Sequence, residues 1–581
     1  MSIDINTLRH SASHVLALAV KRLYPDVKFG IGPATDDGFY YDFDLEQTLT
    51  QDDLEGIESE MKKIIGEDLP FERHEIGADE ARELFADQPW KLELIEQYVN
   101  EGKDLSYFSL GSEWIDLCAG PHVDSSSVVG AVKLLNLAGA YWKGDSNNKA
   151  LQRVYGIAFP TEDELAQYLQ LRENALARDH QKLGRQLGLF LTAEPVGQGL
   201  PIMTPKGSKI ERILRRWVED VEEDWGYEHT LTPYMAKSDL YKISGHWDHY
   251  KENMFILQGY EGDMALRPMT CPFQYQIYLN EQHSYRDLPV RLAETSTLFR
   301  NEASGEMHGL TRLRQFTLAD AHIICRPDQV EDEFERVLKL VLYIMDTLGI
   351  KDFWYRFSKC DPENKSGKYI DNPEAWATTE ASLKRILDKL ELNYVEKEDE
   401  AAFYGPKLDI QMRNVWGKED TYFTIQIDFA AAERFNMIYE DENQQKQRPI
   451  VIHRSSIGCY ERTLAYLIEM YAGKFPCWMN PEQVRILPIA DRHNEYCEQV
   501  KSQLKKAGIR ATVDQASETL NKKVRNAQLD YVNFILVVGD KEVEAGTVTV
   551  RTRDNEVHGA QAVDEFIQEI TKYVSDKNNT V

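Results

Sequence analysis

The segment Leu298-Phe299-Arg300-Asn301-Glu302 places an arginine two residues before a glutamate, and Gly458-Cys459-Tyr460-Glu461-Arg462 places a second Glu-Arg pair after a glycine. Three residues with metal-binding side chains occur near these segments: Cys271, His322 and His453. One thiolate and two imidazoles can bind zinc and leave a fourth coordination position open for a substrate. Each of these features is common when taken singly, since charged strands and packed histidines are frequent. Their occurrence together, in this order, is the informative observation.

The composition is that of a globular protein with several domains. The chain has 581 residues, of which 42% are apolar and 28% charged, and this length predicts about three or four domains. No apolar run approaches the ~20 residues that a membrane span needs. The N-terminus has no basic leader followed by an apolar stretch, which predicts no secretory signal. Seven scattered cysteines do not indicate a disulfide framework. We therefore expect a cytoplasmic protein with no membrane partner.

The net charge of −29 argues at first against a nucleic-acid partner. Local patches bind phosphate, however, whatever the total charge. Residues 481–581 carry 14 Lys and Arg against 16 Asp and Glu, so the acidic excess lies elsewhere. Basic residues cluster in this last segment at Lys501, Lys505, Lys506, Arg510, Lys522, Lys523 and Arg525. The pattern permits RNA binding there, and a solvated charged surface explains it equally well.

Hydrophobic periodicity predicts four parts of the chain. Residues 1–160 combine helices at 6–24, 51–66 and 79–85 with strands, and 138–145 is expected to be a loop. Residues 161–190 are predicted to be a charged helical connector that begins with a capping box at Thr161 and Glu164. The pattern in 191–480 favours a large antiparallel sheet flanked by helices. Residues 481–581 alternate strand and helix, which predicts a small α/β domain with largely parallel pairing.

A second group of metal-type side chains lies near the N-terminus. His10 and His14 are four residues apart, so both project from one helix face. Cys118 and His122 have the same spacing. On spacing alone, these two pairs predict a four-ligand zinc site, and the alternative is a surface histidine pair.

The Arg-x-Glu and Gly-x-x-Glu-Arg segments resemble motifs 2 and 3 of class II aminoacyl-tRNA synthetases. With Cys271, His322 and His453, the resemblance narrows to the threonyl-tRNA synthetase family and covers about residues 6–575. It implies an N-terminal α+β editing domain, a class II antiparallel-sheet catalytic core and a C-terminal α/β anticodon-binding domain. Motif 1, near 226–233, implies a homodimer. Many relatives carry a further ubiquitin-like domain before the editing domain, and we expect this chain to be a form without it.

The resemblance implies that the protein joins L-threonine to tRNA(Thr) with ATP and Mg²⁺. It assigns Arg300 to the α-phosphate and carboxylate, Arg462 to the γ-phosphate and Glu302 to the adenine amino group. Phe316 would stack on the adenine. Threonine would be bound by a zinc ion on Cys271, His322 and His453 and by three side chains: Asp320, Tyr404 and Gln426.

Zinc can expand its coordination to take the amino and hydroxyl groups of threonine. A site built for a hydroxyl rejects valine by ~10⁴, but a missing methyl is worth only ~1–3 kcal/mol, so serine needs a second check. The resemblance makes the N-terminal group a hydrolytic cleft for seryl-tRNA(Thr), in which histidines position or deprotonate water. This cleft would contain His10, His14, Cys118, His122, Asp116 and Lys91. We favour metal-free chemistry there, and zinc remains the alternative.

The chain departs from the family pattern at a few positions. Leu318 replaces a polar pocket residue, and the usual Cys-Pro-x-His reads Cys271-Pro272-Phe273-Gln274. Thr421 stands where a glutamine is often found near the ATP. These changes motivate two rivals: a hydrolase of seryl-tRNA(Thr) with a decayed ligase site, and an RNA-binding regulator. The intact arginines and metal-type ligands argue against both. Arg551 and Arg553 are further candidates for RNA contact.

Overall fold

A computed structural model describes residues 4–145, 147–260, 262–303, 305–363, 367–577 and 579. The chain divides into two compact units, Met1–Glu173 and Asn174–Val581. Each unit has its own core and is described separately below. No helix within the described residues combines the length and apolarity that crossing a bilayer requires.

The first unit packs helices against antiparallel sheets. Its strands are β1 (Lys28–Phe29), β2 (Ala34–Thr35), β3 (Gly38–Asp44), β4 (Phe71–Ile76), β5 (Leu105–Leu110), β6 (Trp114–Leu117), β7 (Ala131–Tyr141) and β8 (Ala150–Phe159). Its helices are α1 (Ile5–Leu23), α2 (Asp53–Gly66), α3 (Ala78–Leu84) and α4 (Pro89–Asn100). One sheet has the order β1-β3-β8-β7 with β2 on β3, and the other has the order β4-β5-β6.

Helix α1 begins where Asp4 accepts a hydrogen bond from the Thr7 N–H, and its residues 11–20 are all buried. Leu8, Val15 and Leu16 pack in the core of this unit, so the predicted helix is confirmed. The expected loop at 138–145 is wrong in its first half, because β7 continues to Tyr141. Residues 138–141 pair with 150–153 of β8, and this ladder outweighs the weak strand propensity of alanine and glycine.

The connector is helical, as expected. Helix α5 (Glu162–Arg178) begins with the predicted capping box: the Glu164 N–H donates to Thr161 Oγ1, and the Thr161 N–H donates to Glu164 Oε2. Asp179 then interrupts the helix and caps α6 (His180–Gln186) by accepting from the Lys182 N–H.

The second unit is built on an eight-stranded sheet. Its strands up to residue 459 are β9 (Phe190–Leu191), β10 (Ile202–Met203), β11 (Glu228–His229), β12 (Met235–Lys237), β13 (Ile256–Gly259), β14 (Gly262–Leu266), β15 (Val290–Phe299), β16 (Gln315–Cys325), β17 (Trp354–Ser358), β18 (Tyr394–Lys397), β19 (Lys407–Arg413), β20 (Glu419–Asp428), β21 (Tyr439–Glu440), β22 (Lys446–Gln447) and β23 (Ile450–Cys459). The sheet order is β11-β15-β16-β23-β20-β19-β17-β18. All neighbours are antiparallel except β11 with β15 and β17 with β18.

Helices pack around this sheet. Those up to residue 470 are α7 (Pro205–Asp224), α8 (Ser238–Ser244), α9 (His246–His249), α10 (Cys271–Leu279), α11 (Val330–Thr347), α12 (Pro373–Lys389), α13 (Ala431–Arg434) and α14 (Tyr460–Met470). Apolar residues of α7, α11 and α14 share one core with Ala319, Ala321 and Ile323 of β16. Since side chains alternate along a strand, Asp320 and His322 point to the opposite face. The predicted antiparallel sheet therefore has one face for packing and one for polar residues.

The C-terminal part has the sheet order β25-β24-β26-β27-β28. Its elements are β24 (Val484–Pro488), α15 (Asn494–Lys506), β25 (Ala511–Val513), α16 (Leu520–Leu529), β26 (Phe534–Val538), α17 (Asp540–Ala545), β27 (Thr547–Thr552), β28 (Val557–Ala562) and α18 (Val563–Ser575). Parallel pairing is confirmed for the first three strands. The predicted elements end at β26 and do not include β27 and β28. These two strands pair antiparallel with each other, because a short turn joins them, and β27 also pairs antiparallel with β26.

Candidate functional site

All the predicted catalytic residues lie around one cavity on the polar face of the large sheet. The cavity has a volume of about 460 Å³. The lining includes every residue expected to bind metal, threonine or ATP: Cys271, Arg300, Glu302, Phe316, Asp320, His322, Tyr404, Gln426, His453 and Arg462.

Strand register brings the two histidines together. His322 of β16 is directly opposite His453 of β23, and His453 is directly opposite Gln426 of β20. Directly paired residues project from the same face of a sheet, so these three side chains form a row. Cys271 is the first residue of α10. The ligand atoms of Cys271, His322 and His453 all lie within 4.8 Å of one another.

Each histidine has one ring nitrogen engaged by a neighbour. His322 Nδ1 lies 2.6 Å from Gln274 Oε1, and His453 Nε2 lies 3.0 Å from Asp428 Oδ2. These contacts leave His322 Nε2 and His453 Nδ1 available to a metal, with an oxygen acceptor behind each ring, as is usual for metal-binding histidines. Burial lowers the pKa of His322 well below its ordinary value, so its imidazole is neutral, which is the ligand form.

The surroundings of this cluster raise the pKa values of its acidic groups and so favour their protonated, neutral forms. Burial raises the pKa of the Cys271 thiol, and the carboxylates of Asp320 and Asp428 raise it further. Burial raises the pKa of Asp320 to about 6. A bound dication reverses this tendency, because it favours a thiolate and a carboxylate beside it. The donor set, its spacing and its burial therefore fit a zinc ion.

The two arginines approach the cavity from different elements. Arg300 lies over the Phe316 ring at 5.1 Å, and within the described residues its buried Nε has no hydrogen-bond partner. Arg462, from the start of α14, donates to the Thr311 and Thr421 carbonyl oxygens at 3.0 and 3.1 Å. Arg462 is thus held by backbone, while Arg300 retains donor capacity toward an anion in the cavity.

Glu302 and Tyr404 are held by neighbouring side chains. Glu302 Oε2 accepts from Arg312 Nε at 2.9 Å. Tyr404 donates to Gln426 Oε1 at 2.5 Å, and its ring stacks on His453 with centroids 4.9 Å apart. Tyr404 and Gln426 therefore form the cavity wall beside His453.

The departures from the family pattern have different consequences in the structure. Leu318 and Thr421 both line the cavity. Phe273 does not, because it is buried against Tyr241 and Met254. Gln274, the next residue, contacts His322 instead.

Sequence reasoning assigned no role to three residues at this site, and it named one of them, Gln274, only as a departure from the family pattern. They are Gln274, Asp428 and His246, and His246 lines the cavity with its Nδ1 2.8 Å from Ser244 Oγ. Burial lowers the pKa of His246 to about 3, so the ring is neutral at physiological pH. A lone histidine or aspartate has no local spacing signal, and only strand and helix packing shows these contacts.

The N-terminal group also comes together. His10 and His14 lie on α1, Cys118 and His122 follow β6, and their ligand atoms are within 4.8 Å of one another. Cys118 Sγ is 3.4 Å from both His10 Nε2 and His122 Nε2. His122 Nδ1 is 3.1 Å from Ser11 Oγ. The surface-pair alternative is wrong for His14, which is only 2% exposed.

Asp116 and Lys91 extend this cluster into the interior. They form an ion pair with both side chains under 5% exposed. Tyr41, which sequence reasoning missed, donates to Asp116 Oδ2 at 2.6 Å and accepts from Lys91 Nζ at 3.2 Å. His14 Nε2 lies 3.7 Å from Asp116. Asp116 therefore lies beside His14, and Lys91 is linked to the histidines through Asp116.

Burial sets the protonation states in this cluster. It lowers the pKa of His122 to about 2 and the pKa of His14 well below its ordinary value. It also raises the pKa of the Cys118 thiol to about 12. At neutral pH the imidazoles are therefore neutral and can orient a water molecule through a ring nitrogen lone pair, although so low a pKa makes His14 and His122 weak bases. The thiol is protonated and is not a nucleophile.

Several basic residues proposed for RNA contact instead donate hydrogen bonds to backbone carbonyl groups within the protein. Arg510 donates to the backbone carbonyls of Trp478 and Asn480 at 2.8 Å. Arg553 donates to the Phe475 carbonyl at 2.7 Å, and buried Lys523 donates to the Asp514 carbonyl at 3.0 Å. The basic residues that remain exposed in this cluster are Lys505, Lys506, Lys522 and Arg525.

A third group of metal-type side chains, around His180, is structural. His180 Nδ1 lies 2.7 Å from Glu469 Oε1, and its Nε2 accepts from the Leu310 N–H at 3.1 Å. Both ring nitrogens are engaged by protein, so His180 offers no free ligand atom.

Three family models match parts of the chain. Residues 255–471 match the tRNA synthetase class II core domain (G, H, P, S and T), and residues 483–573 match an anticodon binding domain. Residues 106–155 match the threonyl and alanyl tRNA synthetase second additional domain. The first match contains all the predicted catalytic residues that line the large cavity, and the third contains Asp116, Cys118 and His122.

Curated relatives match over nearly the whole chain. The threonine–tRNA ligase of Clostridium botulinum (strain Eklund 17B / Type B) is 58% identical over 576 residues, covering 98% of this chain and 89% of the relative. That of Halalkalibacterium halodurans is 46% identical, covering 98% and 88%. Among solved structures, the RNA binding domain of threonyl-tRNA synthetase from Cryptosporidium parvum Iowa II is 34% identical with a TM-score of 0.65, covering 68% of this chain and 98% of that one.

Proposed function

Because this chain belongs to the threonine–tRNA ligase family, we propose that the cavity around Cys271, His322 and His453 activates L-threonine with ATP for transfer to tRNA(Thr). The observation that carries the proposal is the meeting of a Cys-His-His donor set and two arginines in one cavity. Neither a decayed ligase nor an RNA-binding regulator accounts for this combination.

The reaction joins the threonine carboxylate to the α-phosphorus of ATP and releases pyrophosphate. It depends mostly on positioning and on neutralising phosphate charge. Arg300 is assigned to the α-phosphate and the carboxylate, and Arg462 to the γ-phosphate, since guanidinium groups stay charged and grip phosphate bidentately. Glu302 accepts from the adenine amino group, and Phe316 stacks on the ring. Mg²⁺ accompanies the phosphates of ATP.

Threonine binds at the opposite end of the cavity. Cys271, His322 and His453 would hold a zinc ion, which would supply coordination for the amino and hydroxyl groups of the substrate. Asp320 accepts from the amine or hydroxyl. Tyr404 and Gln426 shape the wall beside His453, where their hydrogen bond fixes both side chains. A substrate without a hydroxyl leaves these polar groups unsatisfied, which is the reason we expect valine to be rejected.

The test is amino-acid-dependent ATP–pyrophosphate exchange with purified, zinc-loaded protein. We expect strong exchange with threonine, weaker exchange with serine and none above background with valine. Exchange with valine should be lower than exchange with threonine by a factor on the order of 10⁴, because valine leaves buried hydroxyl-binding groups unpaired. Absence of exchange with all three amino acids would reject the ligase assignment and favour the hydrolase.

We also propose that the His10–His14–Cys118–His122 cluster hydrolyses seryl-tRNA(Thr) without a metal. The support is geometric: the four side chains meet at one place, and Cys118 Sγ lies 3.4 Å from both His10 Nε2 and His122 Nε2. Neutral imidazoles in this arrangement can orient the attacking water through their ring lone pairs. The ester bond to the tRNA ribose breaks, water adds to the carbonyl carbon, and serine leaves with the ribose hydroxyl restored. Lys91 and Asp116 form a buried ion pair, and Asp116 lies beside His14.

The His10→Ala variant tests this assignment. We expect threonine activation to be unchanged and deacylation of seryl-tRNA(Thr) to fall by about 10²–10⁴-fold, the usual contribution of a general base, so that serine accumulates on tRNA. His74→Ala is the control, because His74 lies in the same unit but contacts Ser109 and Tyr107 instead of the cluster. Equal deacylation by His10→Ala and wild type would contradict the assignment.

The remaining assignments concern organisation. We propose an editing domain at 1–160, a helical linker at 161–190, a class II catalytic domain at 191–480 and an anticodon-binding domain at 481–581. We propose a cytoplasmic homodimer that pairs through the motif 1 segment 226–233, where Leu231 is 88% exposed. An apolar side chain so exposed is consistent with a covered interface.

A further inference from the structure

Gln274 is fully buried one helical turn after Cys271, and it contacts a metal-ligand histidine on one side and the motif 1 segment on the other. Its Oε1 lies 2.6 Å from His322 Nδ1, and its Nε2 donates to Thr230 Oγ1 at 2.8 Å. The sequence marks this position only as a departure, since the family pattern has a histidine there. The structure shows a connected set of polar contacts.

The direction of each hydrogen bond in this set is determined. The Thr230 hydroxyl lies 3.1 Å from Glu294 Oε2 and 3.2 Å from the Ala293 carbonyl oxygen, and both are acceptors only, so Thr230 donates its hydrogen there. The Thr230 oxygen must then accept from the Gln274 amide N–H. This places the Gln274 oxygen toward His322, so His322 Nδ1 carries the proton and Nε2 keeps its lone pair.

The far end of the set is rigid. Glu294 forms a buried ion pair with Arg267 at 2.8 Å, and both side chains are at most 1% exposed. Arg267 Nη1 also donates to Thr232 Oγ1 at 2.6 Å. The ion pair with Arg267 keeps Glu294 ionised and fixed in place. Glu294 can therefore only accept a hydrogen bond, and the Thr230 hydroxyl keeps its orientation.

We propose that Gln274 is a positioning residue that sets the tautomer and ring orientation of His322, with its own amide oriented by Thr230 and Glu294. This inference rests on the proposed zinc site of Cys271, His322 and His453. Outer partners of metal-binding histidines fix which nitrogen faces the metal, and their loss commonly costs 10–100-fold in metal affinity.

The test measures zinc affinity by competition with a chromophoric chelator. All variants are made in a Cys118→Ala background, so that the separate Cys-His cluster of the first unit contributes less to the signal. We expect Gln274→Met, which keeps the side-chain length but removes the amide, to weaken zinc binding about 10–100-fold. Gln276→Met is the matched control, because Gln276 lies on the same helix and is exposed; its affinity should equal that of the background.

A second pair of variants tests the orientation of the amide. Thr230→Val removes the oxygen that accepts from Gln274 and should weaken zinc binding several-fold. Thr230→Ser keeps the hydroxyl, so its zinc affinity should equal that of the background protein. In the Gln274→Met background, Thr230→Val should have no further effect, because the bond it breaks is already gone. A purely structural role for Thr230 would instead give the same loss in both backgrounds.

The outcomes separate this inference from the proposed function. If the background protein binds no zinc at the Cys271–His322–His453 site, the proposed zinc site fails. If it binds zinc and Gln274→Met binds it equally tightly, the positioning role is overturned. If Gln274→Met does not fold, the comparison of Thr230→Val with Thr230→Ser tests the positioning role. Equal zinc affinities for these two variants would also overturn that role.

Discussion

The Cys271→Ala variant is expected to lose threonine-dependent ATP–pyrophosphate exchange by at least about 10³-fold, a loss comparable to that from removing one preorganised electrostatic group in other active sites. Cys271 supplies the only sulfur of the donor set, and its neighbours His322 and His453 lie within 4.8 Å of it. Without it, two imidazoles remain, and these do not complete the three protein ligands typical of an open zinc site. Hydrolysis of seryl-tRNA(Thr) by the first unit should be unchanged.

Cys325→Ala is the control for this variant. Like Cys271, Cys325 is a buried free cysteine. It lies at the end of β16 and packs in the core on the side of the sheet opposite the cavity. We expect exchange within about twofold of wild type. Exchange by Cys271→Ala at the level of the Cys325→Ala control would contradict the metal-ligand assignment. Loss of both exchange and deacylation in Cys271→Ala would contradict the independence of the two sites.

The Lys91→Met variant is expected to destabilise the first unit by about 3–5 kcal/mol and to abolish deacylation. Removing one partner of a buried ion pair leaves the other charge uncompensated, and this has a cost of that order. Lys91 and Asp116 are both under 5% exposed, and Lys91 also donates to the Tyr41 hydroxyl. The Asp116 carboxylate would keep only the Tyr41 hydrogen bond and the nearby His14 ring.

Hydrogen exchange of peptides from residues 4–145 measures this effect in the full chain, where a single global unfolding free energy is not defined. Lys63→Met is the matched control, because Lys63 pairs with Glu60 on the surface and is 66% exposed; we expect a change within about 0.5 kcal/mol. Lys91→Met combined with Asp116→Leu should recover part of the loss, since the unpaired charge is removed. A change below about 1 kcal/mol in Lys91→Met would show that the pair is not important for stability.

Local pattern in the sequence was sufficient for most elements, whereas the choice of site residues came from the family resemblance. The apolar spacing of α1, the capping box at Thr161 and the antiparallel character of the large sheet were predicted, because helix and strand periodicity is a property of neighbouring residues. The motif segments around Arg300 and Arg462 indicated the cavity and its family. The error at 138–141 and the missed antiparallel pairing of β27 and β28 have one cause: strand pairing depends on a partner outside the segment.

Tertiary structure alone decided how the site residues meet. His322 and His453 are 131 residues apart, and their pairing follows from the register of two strands, which no local pattern specifies. Only packing shows that Phe273 faces the core while Gln274 contacts His322, and that Arg510 and Arg553 bind backbone carbonyls. Sequence thus determined which side chains are present and which elements carry them. Long-range register and burial determined their neighbours, their protonation states and the direction of their hydrogen bonds.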